Sequence, residues 1–140
     1  SLNELIEFHK KNSHYDIVIP STKLNKGDNK NEVKIISNDQ GKILYLTRSK
    51  SPYEFKKKNK FYQKHLSVIS FKPKALKKFA KLRRSKLEKI EGIELLRALE
   101  NNFKLGTFIS NFSSQAVDVK EDYLKAIKLM KSDKIRKLYK

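Results

Sequence analysis

The sequence predicts an α/β protein: a mixed β-sheet with flanking helices and one β-hairpin. Three observations lead there. Helical periodicities alternate with β-rich runs along the chain, two of those runs flank a four-residue turn, and a first helix feeds a short apolar run closed by proline.

Taken in order, Leu2, Leu5, Ile6 and His9 fall at i, i+3, i+4 and i+7, so residues 1–12 read as a helix already under way. Tyr15-Asp16-Ile17-Val18-Ile19-Pro20 is a buried strand stopped by its proline. A helix entering a buried strand at the first residue suggests a piece of a larger α/β protein. A polar loop, 21–31, follows. Glu32 to Ser37 and Lys42 to Thr47 then flank Asn38-Asp39-Gln40-Gly41, whose turn chemistry makes this the best hairpin in the chain. Residues 48–52 form an irregular segment, and Tyr53 to Tyr62 a basic, aromatic loop. His65 opens a further strand that runs to Phe71.

Pro73 suits the first turn of a helix, with Ala75, Leu76, Phe79, Ala80 and Leu82 on one apolar face and lysines opposite. Ser85 to Glu100 reads as one strongly helical stretch of weak amphipathicity. Leu87, Ile90, Ile93 and Ala98 share a broad sector that also takes in Glu94 and Arg97, while Leu95, Leu96 and Leu99 cover the other side. On chemistry alone this is an internal i, i+3 pair, Glu94 with Arg97, holding a buried helix. Phe103 to Ile109 is a strand, 111–118 a polar loop, and Lys120 to about Met130 the last helix, with Tyr123, Leu124, Ile127 and Met130 turned inward. Asp118 and Glu121 have the spacing of an N-cap and its N3 partner. Residues 1–131 are expected to form one unit, and 132–140 a frayed basic tail.

The formal net charge of +18 points first to nucleic acid or an anionic surface. Its make-up argues for a solvated surface instead. Only five of the 33 basic residues are arginines, Arg48, Arg83, Arg84, Arg97 and Arg136, whereas base and phosphate recognition favours arginine's planar fork. No run is long enough to span a membrane, so no membrane partner is expected. The absence of cysteine removes disulfides and thiolate zinc sites and makes the cytoplasm the default compartment. A glycine-rich phosphate loop, histidines at metal-ligand spacing and a nucleophile elbow are all missing. The candidate site residues are therefore few: Arg48, His65, Glu94, Arg97 and Asp118.

Their order and surroundings say more than any one of them. Val33-Lys34-Ile35-Ile36, Leu44-Tyr45-Leu46-Thr47-Arg48-Ser49 with Pro52, His65-Leu66, the helix from Ser85 to Glu100, and Val117-Asp118 with Glu121-Asp122 occur in that sequence. The set closely resembles the C-terminal part of the CMP-KDO synthetases, the 3-deoxy-manno-octulosonate cytidylyltransferases, over nearly the whole chain. The resemblance implies the C-terminal part of a nucleotidyltransferase-like fold, concerned with sugar-acid binding and dimerisation. The activity it implies is transfer of CMP from CTP to a 3-deoxy sugar acid such as KDO, with magnesium and release of pyrophosphate, in lipopolysaccharide biosynthesis. By the same resemblance Arg48, His65 and Glu94 contact the sugar acid, Asp118 binds Mg2+ and Arg97 orients Glu94. No catalytic residue is expected in this part. A lone carboxylate cannot complete a nucleotide-bound magnesium site, so this chain alone is expected to be inactive.

The chain departs from the family pattern at Ser67, Ile69 and Leu95, and around Asp118 at Ala116, Val119 and Lys120. Replacing a tyrosine by Ile69 and a glutamine by Leu95 removes polar groups expected near the sugar. Three alternatives remain open at this level: a related sugar acid as acceptor, a degenerate non-catalytic relative that still dimerises, and a basic nucleic-acid-binding module.

Overall fold

The computed structural model describes residues 2–111 and 120–132. The chain runs α1 (Leu2–Lys11), β1 (Ile17–Leu24), β2 (Lys34–Ser37), β3 (Ile43–Thr47), β4 (Tyr62–His65), β5 (Ser70–Phe71), α2 (Pro73–Ala80), α3 (Lys86–Glu91), α4 (Leu96–Glu100), β6 (Leu105–Ile109) and α5 (Lys120–Ser132). The strands form one six-stranded mixed sheet with β1 inside it. β6 pairs with β1 in parallel, Ile17 opposite Leu105 and Ser21 opposite Ile109. On its other side β1 meets β5 and then β4, both antiparallel. The hairpin β2–β3 joins through β2, which pairs with β4.

Burial on both faces explains why Ile17-Val18-Ile19 contains no polar residue. Successive side chains of a strand alternate, so Ile17 and Ile19 enter the larger core with Leu46, Leu96, Ala98 and Leu105, while Val18 enters a smaller one with Leu5 and Tyr15 beneath α1. Phe8 and Phe108 extend that smaller core and stack at 4.5 Å between ring centroids. Gly106 is required where β6 passes under Tyr15, because a Cβ there would lie 2.3 Å from the ring. The hairpin turn is held by Asn38, whose Oδ1 accepts from the amides of Gln40 (3.1 Å) and Lys42 (2.9 Å).

Several expectations change. Pro20 does not end β1, which continues to Leu24. Its missing amide falls where the neighbouring strand changes from β5 to β4, and its carbonyl still accepts from Leu66 at 3.0 Å. The strand expected from His65 to Phe71 is instead two short ones, and His65 closes β4 rather than opening a strand. The single helix expected over 85–100 is broken. Gly92 takes up a left-handed conformation, φ 65° and ψ 36°, and its amide closes α3 on Glu88 O. Ile90, on α3 itself, is 70% exposed, and the Glu94 side chain beyond the break is 68% exposed, so neither lies in an apolar sector. Leu76 is half-exposed. On α5, Tyr123, Leu124 and Met130 are exposed rather than inward. Periodicity tells which residues share a face; it does not say whether another element covers it. The Asp118 cap and the tail beyond Ser132 lie outside the described residues.

Candidate functional site

The candidate site gathers where β3 ends against the C-terminus of α3. Arg48 follows Thr47, the last residue of β3, and its guanidinium is held almost wholly by main-chain oxygens. Nε donates to Glu91 O (2.8 Å), Nη2 to Gly92 O (3.1 Å), and Nη1 to Lys30 O (3.2 Å) and Asn31 O (3.3 Å). Helix ends leave carbonyls without intrahelical partners, and a cation beside them is favoured by the helix dipole. Arg48 therefore ties the end of α3 to the 30–31 loop. The carboxylate of Glu91 returns the contact, accepting from Thr47 Oγ1 (2.7 Å) and from the Arg48 amide (3.0 Å).

Lys34 lies beneath this tie and is wholly buried. Its ammonium donates to the carbonyls of Asn29 (2.7 Å), Glu32 (2.7 Å) and Arg48 (2.6 Å), which satisfies all three of its protons. Burial holds its pKa below the usual lysine range, with Glu32 and Glu91 opposing that shift. The sequence pattern includes Lys34 only within the run Val33-Lys34-Ile35-Ile36 and gives it no role of its own. The only signal was a lysine set between Val33 and Ile35.

Arg97 pairs chiefly with Glu88. Nε to Oε2 is 2.9 Å and Nη2 to Oε1 is 2.7 Å, a two-pronged pair in which neither side chain is more than 12% exposed. Hydrogen bonds from Arg97 are the largest cause that lowers the pKa of Glu88, and Glu88 raises that of Arg97. Arg97 also donates to Leu82 O (3.2 Å) and lies over the ring of Phe79 at 4.9 Å. Its contact with Glu94 is a single one, 3.3 Å, to a carboxylate that is 68% exposed. The expected i, i+3 pair exists, but the buried carboxylate is Glu88. Ser85 and Glu88 form a reciprocal capping box at the start of α3, and the Ser-x-x-Glu spacing in the sequence was the signal that could have found it.

His65 lies on the neighbouring strands, its Cα opposite Ser21, which is itself opposite Ile109 of β6. Its amide donates to Val33 O at 2.9 Å. The ring is half-buried by exposed area, yet surrounded closely enough that loss of hydration pushes its pKa down to about 4. It is neutral at pH 7. The structure thus brings Arg48 to Gly92, two residues from Glu94, and brings Arg97 to Glu94. His65 does not line their cleft, and Asp118 lies outside the described residues. The cleft is bounded by Arg84, Glu88, Lys89, Gly92, Glu94 and Arg97. Among the described residues no group of three His, Cys, Asp or Glu side chains could hold a metal ion, and no helix is long and apolar enough to cross a membrane.

A mixed sheet in which β1 and β6 run parallel and the remaining pairs antiparallel, with helices packed against it, is an α/β domain. The solved structure of a CMP:2-keto-3-deoxy-manno-octonic acid synthetase complexed with CTP superposes with a TM-score of 0.85 at 21% sequence identity, over 93% of this chain and 55% of that one. The family model for cytidylyltransferases matches residues 1–110, and the chain belongs to that family. Similar proteins include the 3-deoxy-manno-octulosonate cytidylyltransferase of Rickettsia prowazekii, 38% identical across 99% of this chain and 54% of the relative. That of Thermodesulfovibrio yellowstonii is 34% identical across 86% of this chain and 51% of the relative. The chain spans about half the length of the curated relatives it matches.

Proposed function

We propose that this chain is the sugar-acid-binding part of a cytidylyltransferase that transfers CMP from CTP to a 3-deoxy sugar acid such as KDO. The family match over residues 1–110, together with relatives named for that reaction, carries the proposal. In the reaction the anomeric hydroxyl oxygen of the sugar acid bonds to the α-phosphorus of CTP, the bond to the bridging oxygen breaks, pyrophosphate leaves and the hydroxyl proton is released. The task of this part is to hold the acceptor hydroxyl in line, since fixing two reactants in one geometry removes much of the entropic barrier.

Glu94 suits that task. Its carboxylate is exposed at the cleft and steadied on one side by Arg97, leaving oxygen lone pairs for sugar hydroxyls. His65 lies outside that cleft, on the neighbouring strands; a sugar acid that reaches it would meet a neutral imidazole, one nitrogen donating and the other accepting. Arg48 would act by holding Gly92 and so the 92–94 turn. Magnesium, when bound, would neutralise phosphate charge. The described residues do not form a site for it, and Asp118 is the carboxylate proposed to contribute one ligand. The proposal further includes a cytoplasmic location and a homodimer.

A longer protein containing this chain should release pyrophosphate from CTP in the presence of KDO or a similar acid, and the 140-residue chain should not. Absence of turnover by the longer protein across a panel of sugar acids would overturn the reading.

A further inference from the structure

Between Thr47, the end of β3, and Tyr62, the start of β4, residues 48–61 form neither helix nor strand. Connections beyond about 12 residues without secondary structure are uncommon in compact domains and usually serve a function. Arg48 belongs to the site described above; the outer part of the loop does not. There Tyr53 and Phe55 are 85% and 83% exposed, more than any other large apolar side chain among the described residues. Lys56, Lys57, Lys58 and Lys60 follow them and are exposed too.

The acidic groups nearby are already engaged. Glu54 turns back into the loop, where one carboxylate oxygen accepts from the Asn59 amide and from the Tyr62 hydroxyl, both at 3.0 Å. Asp28, from the loop before β2, pairs with Lys50 at 3.4 Å. None of Lys56, Lys57, Lys58 and Lys60 has an ion pair among the described residues. The carboxylate of Glu54 thus closes the loop on itself and leaves two rings and four cations to the outside. A single nucleic-acid strand is best held in a groove, with arginine forks on its phosphates. Here the cavity beside the loop is lined by neither ring and by none of the four lysines, and the guanidinium of Arg48 is occupied by main-chain carbonyls. Lysine, a hydrated point charge on a flexible stem, suits a fluid anionic surface, and aromatic rings settle at the headgroup level of a bilayer. Lying on such a surface requires no spanning helix.

We propose that residues 53–60 dock this protein on an anionic lipid surface, with Tyr53 and Phe55 entering the headgroup layer and Lys56, Lys57, Lys58 and Lys60 meeting the lipid phosphates. The inference stands apart from the sugar-acid reading, since none of these residues lines the cleft at Glu94. Each lysine near such a surface strengthens association about fivefold, and the rings add a part that salt does not screen. A net charge of +18 would draw any face of the chain towards negative charge, so the distinguishing observation is that this loop, rather than the total, carries the binding.

The test is co-sedimentation of the 140-residue chain with vesicles of phosphatidylglycerol and phosphatidylcholine in equal parts, and with vesicles of phosphatidylcholine alone. The mixed vesicles should bind the chain and the neutral ones should not. Lys56→Gln, Lys57→Gln and Lys58→Gln together should weaken binding about 100-fold. Lys74→Gln, Lys77→Gln and Lys81→Gln, the same loss of charge on and just beyond α2, should weaken it less than about tenfold. Tyr53→Ser with Phe55→Ser should weaken it about tenfold and abolish what survives at high salt. All these side chains are exposed, so melting temperatures should not move. Equal weakening by the two lysine triples, equal binding to both kinds of vesicle, or unaltered binding by the Tyr53→Ser, Phe55→Ser variant overturns the proposal. A single-stranded oligonucleotide bound in preference to the mixed vesicles through the same loop lysines would assign the loop to nucleic acid. A lower sedimentation coefficient for the Tyr53→Ser, Phe55→Ser variant in free solution would assign it to a second copy of this chain. Either of these results also overturns lipid docking.

Discussion

Arg97 and Glu88, nine residues apart, form the strongest ion pair near the candidate site, closed by bonds of 2.7 and 2.9 Å in a largely buried setting. Glu94, the neighbour at i, i+3, has only the outer edge of the same guanidinium. The two carboxylates that flank Arg97 are thereby distinguished: Glu88 is engaged and largely buried, and Glu94 stays exposed.

The separation has a mutational signature. Glu88→Ala should leave a buried guanidinium without its partner and cost about 3 kcal/mol or more. Glu94→Ala, removing an exposed contact, should change stability by no more than about 0.5 kcal/mol. Urea unfolding of the two variants side by side reads the difference. Equal effects would mean that the ion pair is not organised as described.

Lys34 should be among the least replaceable charged residues in the chain. Lys34→Met keeps much of the apolar stem but leaves the carbonyls of Asn29, Glu32 and Arg48, which its buried ammonium satisfies, without that donor. A loss of about 2–3 kcal/mol is expected, since each of these partly buried acceptors loses a charge-assisted bond and water recovers part of it. Thermal melts measure the loss, and amide exchange should show residues 29–32 and 48 opening first.

Gly92→Ala tests the cap of α3. A Cβ at this position would meet Arg48 Nε at 3.9 Å, an ordinary contact, so the cost is conformational alone. About 1 kcal/mol is expected for a non-glycine residue at φ 65°, and less for Gly92→Asn, which tolerates that region better. Chemical denaturation of both variants provides the comparison. A loss well above this for alanine would point to a clash the geometry does not contain.

His65 should make stability depend on pH in acid. Its folded pKa of about 4 lies below the ordinary histidine value, so between the two the unfolded chain binds more protons. The contribution is complete above about pH 6.5 and is lost as the pH falls towards 4, with a span on the order of 2–3 kcal/mol. His65→Gln should flatten that part of the stability curve. An unchanged slope between pH 4 and 6.5 would remove His65 as its source.

Features that depend on neighbours within one element were legible in the sequence. The hairpin turn at Asn38 to Gly41, proline at the start of α2, the apolar run of β1 and the alternation of strands and helices all follow from residue types a few positions apart. The ordered set of Arg48, His65, Glu94, Arg97 and Asp118 was legible as a pattern, which was enough to indicate the family. The breaks were not. Gly92 could have been a glycine tolerated inside a helix, and Pro20 could have ended its strand; each outcome turned on what packed beside it.

By itself, then, the sequence determined the fold class, most of the elements and the family. Tertiary structure decided which charges are buried, which are occupied and which stay exposed. Arg48 is consumed by carbonyls from residues 30, 31, 91 and 92, Lys34 by carbonyls of a loop and a strand end, and Arg97 by Glu88 rather than Glu94. Most of these partners come from separate elements or loops, and some lie more than 40 residues apart. Whether a charge pairs there depends on distance and desolvation after folding, which no periodicity along the chain encodes.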